Sequence, residues 1–265
     1  MIETLQKYSA SGNDFLISSI HSEPQYPLHK LAKLLCNRFE GIGADGLVIL
    51  KPHTQYAYEW EFYNSDGSKA KMCGNASRCV GLYAFLHSLA PKKHTFLSGA
   101  GEIGIEILSS NYPYKVLSHL GAYRLLKEYN EEGQKWLLLD TGVPHLTTLL
   151  PDKESFESFS VEKMKTLRFL HNANVNIAYA DRDHYWIKTY ERGVEGITLA
   201  CGTGMASLVA FLKENQKLQA NSASIIPPIK ESLEFFIHNK KLSFQGEVKK
   251  IATCQLSLQD YGVKL

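Results

Sequence analysis

The sequence predicts a duplicated architecture of two domains, each mixing strands with a helix, and three observations carry that prediction. The stretch Met72-Cys73-Gly74-Asn75-Ala76-Ser77-Arg78-Cys79 has a counterpart 128 residues after Cys73 in Ala200-Cys201-Gly202-Thr203-Gly204-Met205, so two thiols are each followed by glycine. Each pair leads into an apolar run with helical spacing, Val80 to Ala84 and Leu208 to Leu212. Each is also preceded by an alternating strand that ends in a polar, glycine-containing turn, Tyr58 to Ser68 and His184 to Gly193. Trp60 precedes Cys73 by 13 residues and Trp186 precedes Cys201 by 15. The repeat is one of layout rather than residue identity. A chain of 265 residues has room for it. The boundary is placed near Ser118, giving domains 1–118 and 119–265, with a last strand at about 255–265 free to return to the first.

Along the chain, Tyr8 to Ile17 reads as a tight turn at Gly12-Asn13-Asp14 feeding a strand. Leu28, Leu31, Leu34 and Leu35 predict a helix over 28–39. Gly41 to Gly46 is a glycine-rich loop entering an apolar strand. No strand pattern precedes it and no Gly-Lys-Ser/Thr closes it, which argues against a nucleotide-binding loop. Segment 115–133 is charged in places and holds a hairpin or loop at Asn130-Glu131-Glu132-Gly133. Trp136 to Leu139 is a buried strand ending in a turn. Ser160 caps an amphipathic helix that runs to Leu170, with Val161, Met164, Leu167 and Leu170 on one face. Asn172 to Tyr179 follows as a strand with polar residues at its mouth. Leu233 to His238 and Leu242 to Phe244 pair across Asn239-Lys240, and 248–258 is strand-like.

Composition narrows the class. With 44% hydrophobic and 21% charged residues this is an ordinary globular chain, and a formal charge of +2 with scattered lysines gives no basis for a nucleic-acid partner. Met1 to Lys7 lacks the apolar core of a signal peptide and no run reaches membrane-spanning length, so a cytoplasmic location and no membrane partner are expected. Five cysteines without a CxxC pair favour neither a disulfide framework nor a zinc site. Cys36, Cys79 and Cys254 read as small buried hydrophobes.

Cys73 and Cys201 differ from these, because each sits where a loop turns into a helix. A helix N-terminus offers unpaired N–H groups and positive potential, which favour thiolate over thiol and also hold a carboxylate. One activated thiol would indicate a nucleophile or a redox centre. Two in matched settings point to stereoinversion, one sulfur removing a proton from a carbon and the other delivering a proton to its opposite face.

Gly12-Asn13-Asp14-Phe15, Asn64-Ser65-Asp66-Gly67-Ser68, Cys73-Gly74-Asn75 with Arg78-Cys79, Asn176, Glu191-Arg192-Gly193 and Ala200-Cys201-Gly202-Thr203-Gly204 together resemble diaminopimelate epimerase, in the right order over nearly the whole chain. The resemblance implies an α+β fold of two pseudo-symmetric domains, each a curved, largely antiparallel sheet wrapped round a central helix, with substrate in the cleft between them. It implies interconversion of LL- and meso-diaminopimelate without a cofactor or metal, in lysine and cell-wall precursor synthesis, by an enzyme that is usually a homodimer. Cys201 is then the proton acceptor and Cys73 the donor when the LL isomer is consumed. His145 resembles the family histidine near the thiols, where it would help set the thiol–thiolate balance, with Glu191 in support. The substrate-binding set is Asn13, Asn64, Gly74, Asn75, Asn176, Glu191, Arg192, Gly202 and Thr203. Its chemistry suits a zwitterion: helix-terminal amides at Gly74-Asn75 and Gly202-Thr203 for charge on the reacting carboxylate, Arg192 for the far carboxylate, Glu191 for the far ammonium, and asparagines that donate and accept. Taken alone, Glu191-Arg192 would be a solvated turn and each asparagine a turn residue.

Three positions depart from the family pattern. Val143 stands where asparagine is common before Pro-His, Gly46 stands where some members have glutamine, and Ala76-Ser77 replaces a glycine-containing pair. None touches a thiol. Two other readings remain open: a proline racemase or hydroxyproline epimerase, against which Asn75 and Glu191-Arg192 argue, and a non-catalytic thiol redox or ligand-binding protein.

Overall fold

The computed structural model describes residues 4–21, 26–218 and 220–256. The chain separates into two compact units, one of the described residues up to Ser118 together with those from Glu247, the other of His119–Gly246. The second unit thus stops short of the expected residue 265. The expected strand at 255–265 lies almost wholly outside the described residues.

In the first unit β1 (Thr4–Ala10) and β2 (Asn13–Ser19) form an antiparallel hairpin whose two-residue turn, Ser11 at φ 49° and Gly12 at φ 83°, has the twist that matches paired strands. Helix α1 (Leu28–Leu35) crosses to β3 (Gly46–Lys51), parallel to β2, and β4 (Glu59–Asn64) and β5 (Lys69–Ala70) follow antiparallel. Next come α2 (Gly74–Leu86) and the antiparallel strands β6 (Lys93–Ser98), β7 (Gly101–Ser109) and β8 (Tyr114–Ala122). Strand parity assigns the two faces. Phe15, Ile17, Val48 and Leu50 point to the core around α2, whereas Leu16, Leu47 and Ile49 point to the one around α1. Every residue of α2 from Gly74 to Ala84 is buried, as a helix with sheet on several sides must be.

Helix α1 ends at Leu35, four residues before the expected Phe39. The Asn37 carboxamide oxygen accepts from the backbone N–H groups of Phe39 (2.8 Å) and Glu40 (3.0 Å), a local turn that competes with another helical turn.

The second unit begins at His119 within β8 and continues with β9 (Arg124–Glu131) and β10 (Gln134–Asp140), joined by the tight turn expected at 130–133. Strand β9 is exposed over most of its length, so no alternation announced it. Strand β11 (Pro144–Leu149) runs antiparallel to β10 and parallel to β12 (Asn174–Asp181), with α3 (Lys153–Ser158) and α4 (Val161–His171) in the crossover. The Ser160 side chain caps α4 as expected. Met164 and Leu167 are buried, but Val161 and Leu170 are exposed, because nine residues at 3.6 per turn place those two about half a turn apart. Then follow β13 (His184–Glu191), β14 (Gly196–Ile197), α5 (Gly202–Glu214), β15 (Ser222–Ile226), β16 (Leu233–His238) and β17 (Lys241–Gln255). β16 turns into β17 through Asn239 and Lys240, both at positive φ, the expected hairpin. β17 is long enough to pair with β16 over Lys241–Gln245 and, in the first unit, with β1 from Lys249 onward. Its length explains why the return to the first unit begins at Glu247. Leu137, Leu139 and Ala178 face α5, whereas Trp136, Val175, Ile177 and Tyr179 face α3 and α4. Helix α5 is buried from Gly204 to Leu212, the counterpart of α2.

Among the described residues no helix is long and apolar enough to cross a membrane.

Candidate active site

Cys73 and Cys201 are the N-cap residues of α2 and α5, two helices of 13 residues each. Both have extended backbone (φ −147°, ψ 124° and φ −121°, ψ 106°), neither caps its own helix with its side chain, and neither first turn carries an acidic residue. No residue of either first turn opposes the positive end of its helix dipole, a setting that favours thiolate and attracts anions. Cys201 is buried and Cys73 half-buried. Cys36 and Cys79 are buried as expected, whereas Cys254 is only half-buried, and none of the three is in a disulfide among the described residues.

The surroundings of Cys201 follow from strand parity. His145 and Thr147 on β11, Asn174 and Asn176 on β12 and Thr189 on β13 all point to the α5 face. Thr203 Oγ1 lies 3.5 Å from Cys201 Sγ and 2.9 Å from His145 Nε2, one hydroxyl bridging thiol and imidazole. Asn176 Nδ2 reaches His145 Nδ1 (3.1 Å), Thr147 Oγ1 (2.9 Å) and Ser207 Oγ (3.1 Å), and its Oδ1 accepts from Thr189 Oγ1 (2.8 Å). Thr141 Oγ1 donates to the Thr203 carbonyl at 2.9 Å. Gly204 is required by this closeness: a Cβ there would lie 2.6 Å from Asn176 Oδ1 and 2.8 Å from Thr189 Oγ1.

His145 is fully buried, and burial lowers its pKa to about 3 against the opposing hydrogen bond of Asn176, so the ring is neutral near pH 7. Glu191, at the end of β13, has its pKa raised by burial, while the nearby Thr198 hydroxyl and Cys201 thiol favour the charged form and act the other way. That places a carboxyl beside the thiol. Arg192 Nη1 donates to the Asn172 carbonyl (3.0 Å), which ends α4, and the Arg192 backbone N–H donates to Asn174 Oδ1 (2.7 Å).

In the first unit Asn75 follows Gly74 in the first turn of α2. Its Nδ2 donates to Asn13 Oδ1 at 2.7 Å, and Asn13 Nδ2 donates to Asp45 Oδ2 at 2.9 Å. Asn64 is exposed at the end of β4, its Nδ2 donating to Ser68 Oγ across the turn at 2.9 Å.

Two groups are thus assembled. Cys73, Gly74, Asn75 and Asn13 come together in the first unit, and Cys201, Gly202, Thr203, His145, Asn176, Glu191 and Arg192 cluster in the second. Asn64 is not tied to the first group by a hydrogen bond of its own. Asn176, wholly enclosed by protein partners, braces His145 and α5 from behind. The residue at the mouth of β12 is Asn174, two positions earlier on the same face, whose Nδ2 lies 3.2 Å from His145 Nε2 and which holds the Arg192 backbone. Sequence reading passed over it, although the period of two that places Asn176 inward places Asn174 there as well. Of the departures, Val143 is partly exposed before Pro144. Gly46 leaves no room for a side chain, since a Cβ would lie 2.6 Å from the Phe62 ring. Among the described residues no group of three or more His, Cys, Asp or Glu is arranged to hold a metal ion.

The same architecture occurs in a PhzF-family phenazine biosynthesis protein of Enterococcus faecalis (TM-score 0.74, 13% identity, covering 96% of this chain and 98% of that one). It recurs in a probable proline racemase of Agrobacterium radiobacter K84 (TM-score 0.71, 15% identity, 97% and 93%) and a hydroxyproline epimerase of Agrobacterium vitis (TM-score 0.70, 12% identity, 96% and 90%). At such identity the likeness defines the fold, one shared with amino-acid racemases and epimerases. Sequence comparison goes further. The diaminopimelate epimerase family profile matches residues 5–126 and 137–245. Proteins named diaminopimelate epimerase are 44% identical in Helicobacter pylori strain HPAG1 (96% of both chains), 45% in a Nitratiruptor species (93% and 96%) and 42% in Campylobacter jejuni strain RM1221 (92% and 94%). The chain belongs to the diaminopimelate epimerase family, a family of isomerases.

Proposed function

We propose that this protein interconverts LL- and meso-2,6-diaminopimelate by two-base chemistry, with Cys201 and Cys73 on opposite faces of one α-carbon. The observation that carries the reading is the matched placement of the two thiols, each the N-cap of a buried helix at the heart of its own unit. One thiol comes from each unit.

For the LL isomer the Cys201 thiolate takes the α-proton, and the electron pair left on carbon spreads into the adjoining carboxylate. The Cys73 thiol gives its proton to the opposite face. The centre is inverted, Cys201 ends as thiol and Cys73 as thiolate, and the reverse reaction exchanges their roles. Removal of so weakly acidic a proton needs stabilised charge. The N–H groups at Gly74-Asn75 and Gly202-Thr203 supply it, each such contact contributing about 3 kcal/mol in a closed, dry site. Glu191 and the neutral His145, acting through Thr203, set the protonation of Cys201. Arg192 binds the far carboxylate, with Asn13, Asn64, Asn75 and Asn174 completing recognition. No cofactor takes part. A cytoplasmic homodimer serving lysine and peptidoglycan precursor synthesis completes the reading.

The test is exchange of the α-hydrogen in deuterated water, with diaminopimelate and proline offered in parallel. Exchange of diaminopimelate, with epimerisation abolished by Cys73→Ala and by Cys201→Ala, is expected. Exchange of proline alone, or near-normal turnover in either variant, overturns the assignment.

A further inference from the structure

Beside Cys73 the hydrogen bonds form a chain with a single direction. Arg78, fully buried in α2, donates through Nη2 to Asn75 Oδ1 (3.1 Å) and Ser11 Oγ (2.8 Å). Asn75 Nδ2 donates to Asn13 Oδ1 (2.7 Å), and Asn13 Nδ2 donates to Asp45 Oδ2 (2.9 Å). Asp45 also accepts from the Asp14 backbone N–H at 3.2 Å, and its Oδ1 takes Arg38 Nη2 at 2.8 Å. Arg38 is itself held by Asp14, with contacts of 2.7 and 3.1 Å.

The two ends fix everything between them. A guanidinium can only donate and an ionised carboxylate can only accept, so neither amide can turn over without setting donor against donor or acceptor against acceptor. Flipping Asn75 would aim its NH2 at Arg78, and flipping Asn13 would aim its carbonyl at Asp45. Both amide oxygens are thereby engaged within the chain, and each amide has one N–H that the chain does not use, a donor edge on the partly exposed Asn13 and the buried Asn75. Such an edge suits an anionic oxygen and repels an ammonium.

We infer that Arg78 and Asp45, steadied by Arg38, are positioning residues that lock Asn13 and Asn75 as N–H donors toward a substrate carboxylate. The inference rests on the epimerase reading for the identity of that carboxylate, but the locking is a property of the free protein.

Asp45→Asn replaces the terminal acceptor with a group that can also donate, without adding volume. Arg38→Gln, at an exposed position, is the second variant should Asp45→Asn fold poorly. Two measurements decide. In the first, side-chain amide resonances of Asn13 and Asn75 in the free protein, assigned through Asn13→Ser and Asn75→Ser, are expected to be slowly exchanging in wild type and to lose that protection at least tenfold in Asp45→Asn. In the second, KM for diaminopimelate is expected to rise at least tenfold in Asp45→Asn and about threefold in Arg38→Gln, with kcat within threefold of wild type. Unchanged amide protection in the variants overturns the inference, as does a loss in kcat at unchanged KM. If wild type fails to exchange diaminopimelate, the epimerase reading falls while the amide measurement still judges the chain of hydrogen bonds.

Discussion

Gly204→Ala probes how closely α5 is fitted to the strands beneath it. The new Cβ would meet Asn176 Oδ1 at 2.6 Å and Thr189 Oγ1 at 2.8 Å, well inside any tolerable carbon–oxygen contact. Neither oxygen has room to yield. They hydrogen-bond each other at 2.8 Å, both side chains are buried, and the residues are register partners in the β12–β13 ladder. Strain of this kind costs about 1–3 kcal/mol. Weakening the Thr189–Asn176 bond adds about 1 kcal/mol, for about 2–4 kcal/mol in all. The alternative is that α5 moves, which carries Cys201, three residues away, out of line, and a misplacement of ~1 Å can lower turnover by about 100-fold. Urea unfolding followed by tryptophan fluorescence, together with α-hydrogen exchange, measures both effects. Adding Thr189→Ala removes one of the colliding oxygens, so the double variant should be less destabilised than the sum of the singles by ~1 kcal/mol or more. A Gly204→Ala protein within ~0.5 kcal/mol of wild type, with normal exchange, would refute the account of how α5 is seated.

His145 makes stability depend on pH. Its folded pKa of about 3 lies below the ordinary value of about 6.5, so between those limits the unfolded chain binds a proton that the folded protein does not. Its neutral burial therefore costs nothing above pH 6.5 and destabilises progressively as the pH falls, by up to about 1.4 kcal/mol per unit. The difference in unfolding free energy between wild type and His145→Asn, followed from pH 8 to pH 4, should carry that slope, and a flat difference would contradict it. Glu191→Gln removes the carboxylate beside Cys201 and should lower kcat/KM by about 10–150-fold, the equivalent of a charged hydrogen bond of about 1.5–3 kcal/mol; an unchanged value would remove Glu191 from the mechanism. Gly46→Gln should destabilise by about 1–3 kcal/mol because a Cβ there would meet the Phe62 ring at 2.6 Å and the Tyr63 carbonyl at 2.8 Å, and Phe62→Ala in the same chain should recover only the part of the loss due to the ring. Urea midpoints decide, and a neutral Gly46→Gln would show that both the ring and the Tyr63 carbonyl can give way.

What one residue or one short run can specify was legible without coordinates. The glycine after each thiol and the apolar runs beyond announced α2 and α5, Asn239-Lys240 announced the last hairpin, and Ser160 announced the start of α4, since caps and periodicity are local. Strand β9 was not legible, because it lies exposed and its side chains follow no alternation. The early end of α1 turned on one Asn37 side chain competing for backbone N–H groups. The site divides along the same line. The sequence by itself determined that two thiols occupy helix N-termini and which polar residues precede and follow them. Only the tertiary structure decided that Asn174 stands at the mouth of β12 while Asn176 braces α5 from behind, that His145 is buried and neutral, and that Arg78 and Asp45 terminate one chain of amides. Those outcomes depend on which strand lies beside which and on how much water is excluded, and no spacing along a single chain encodes either.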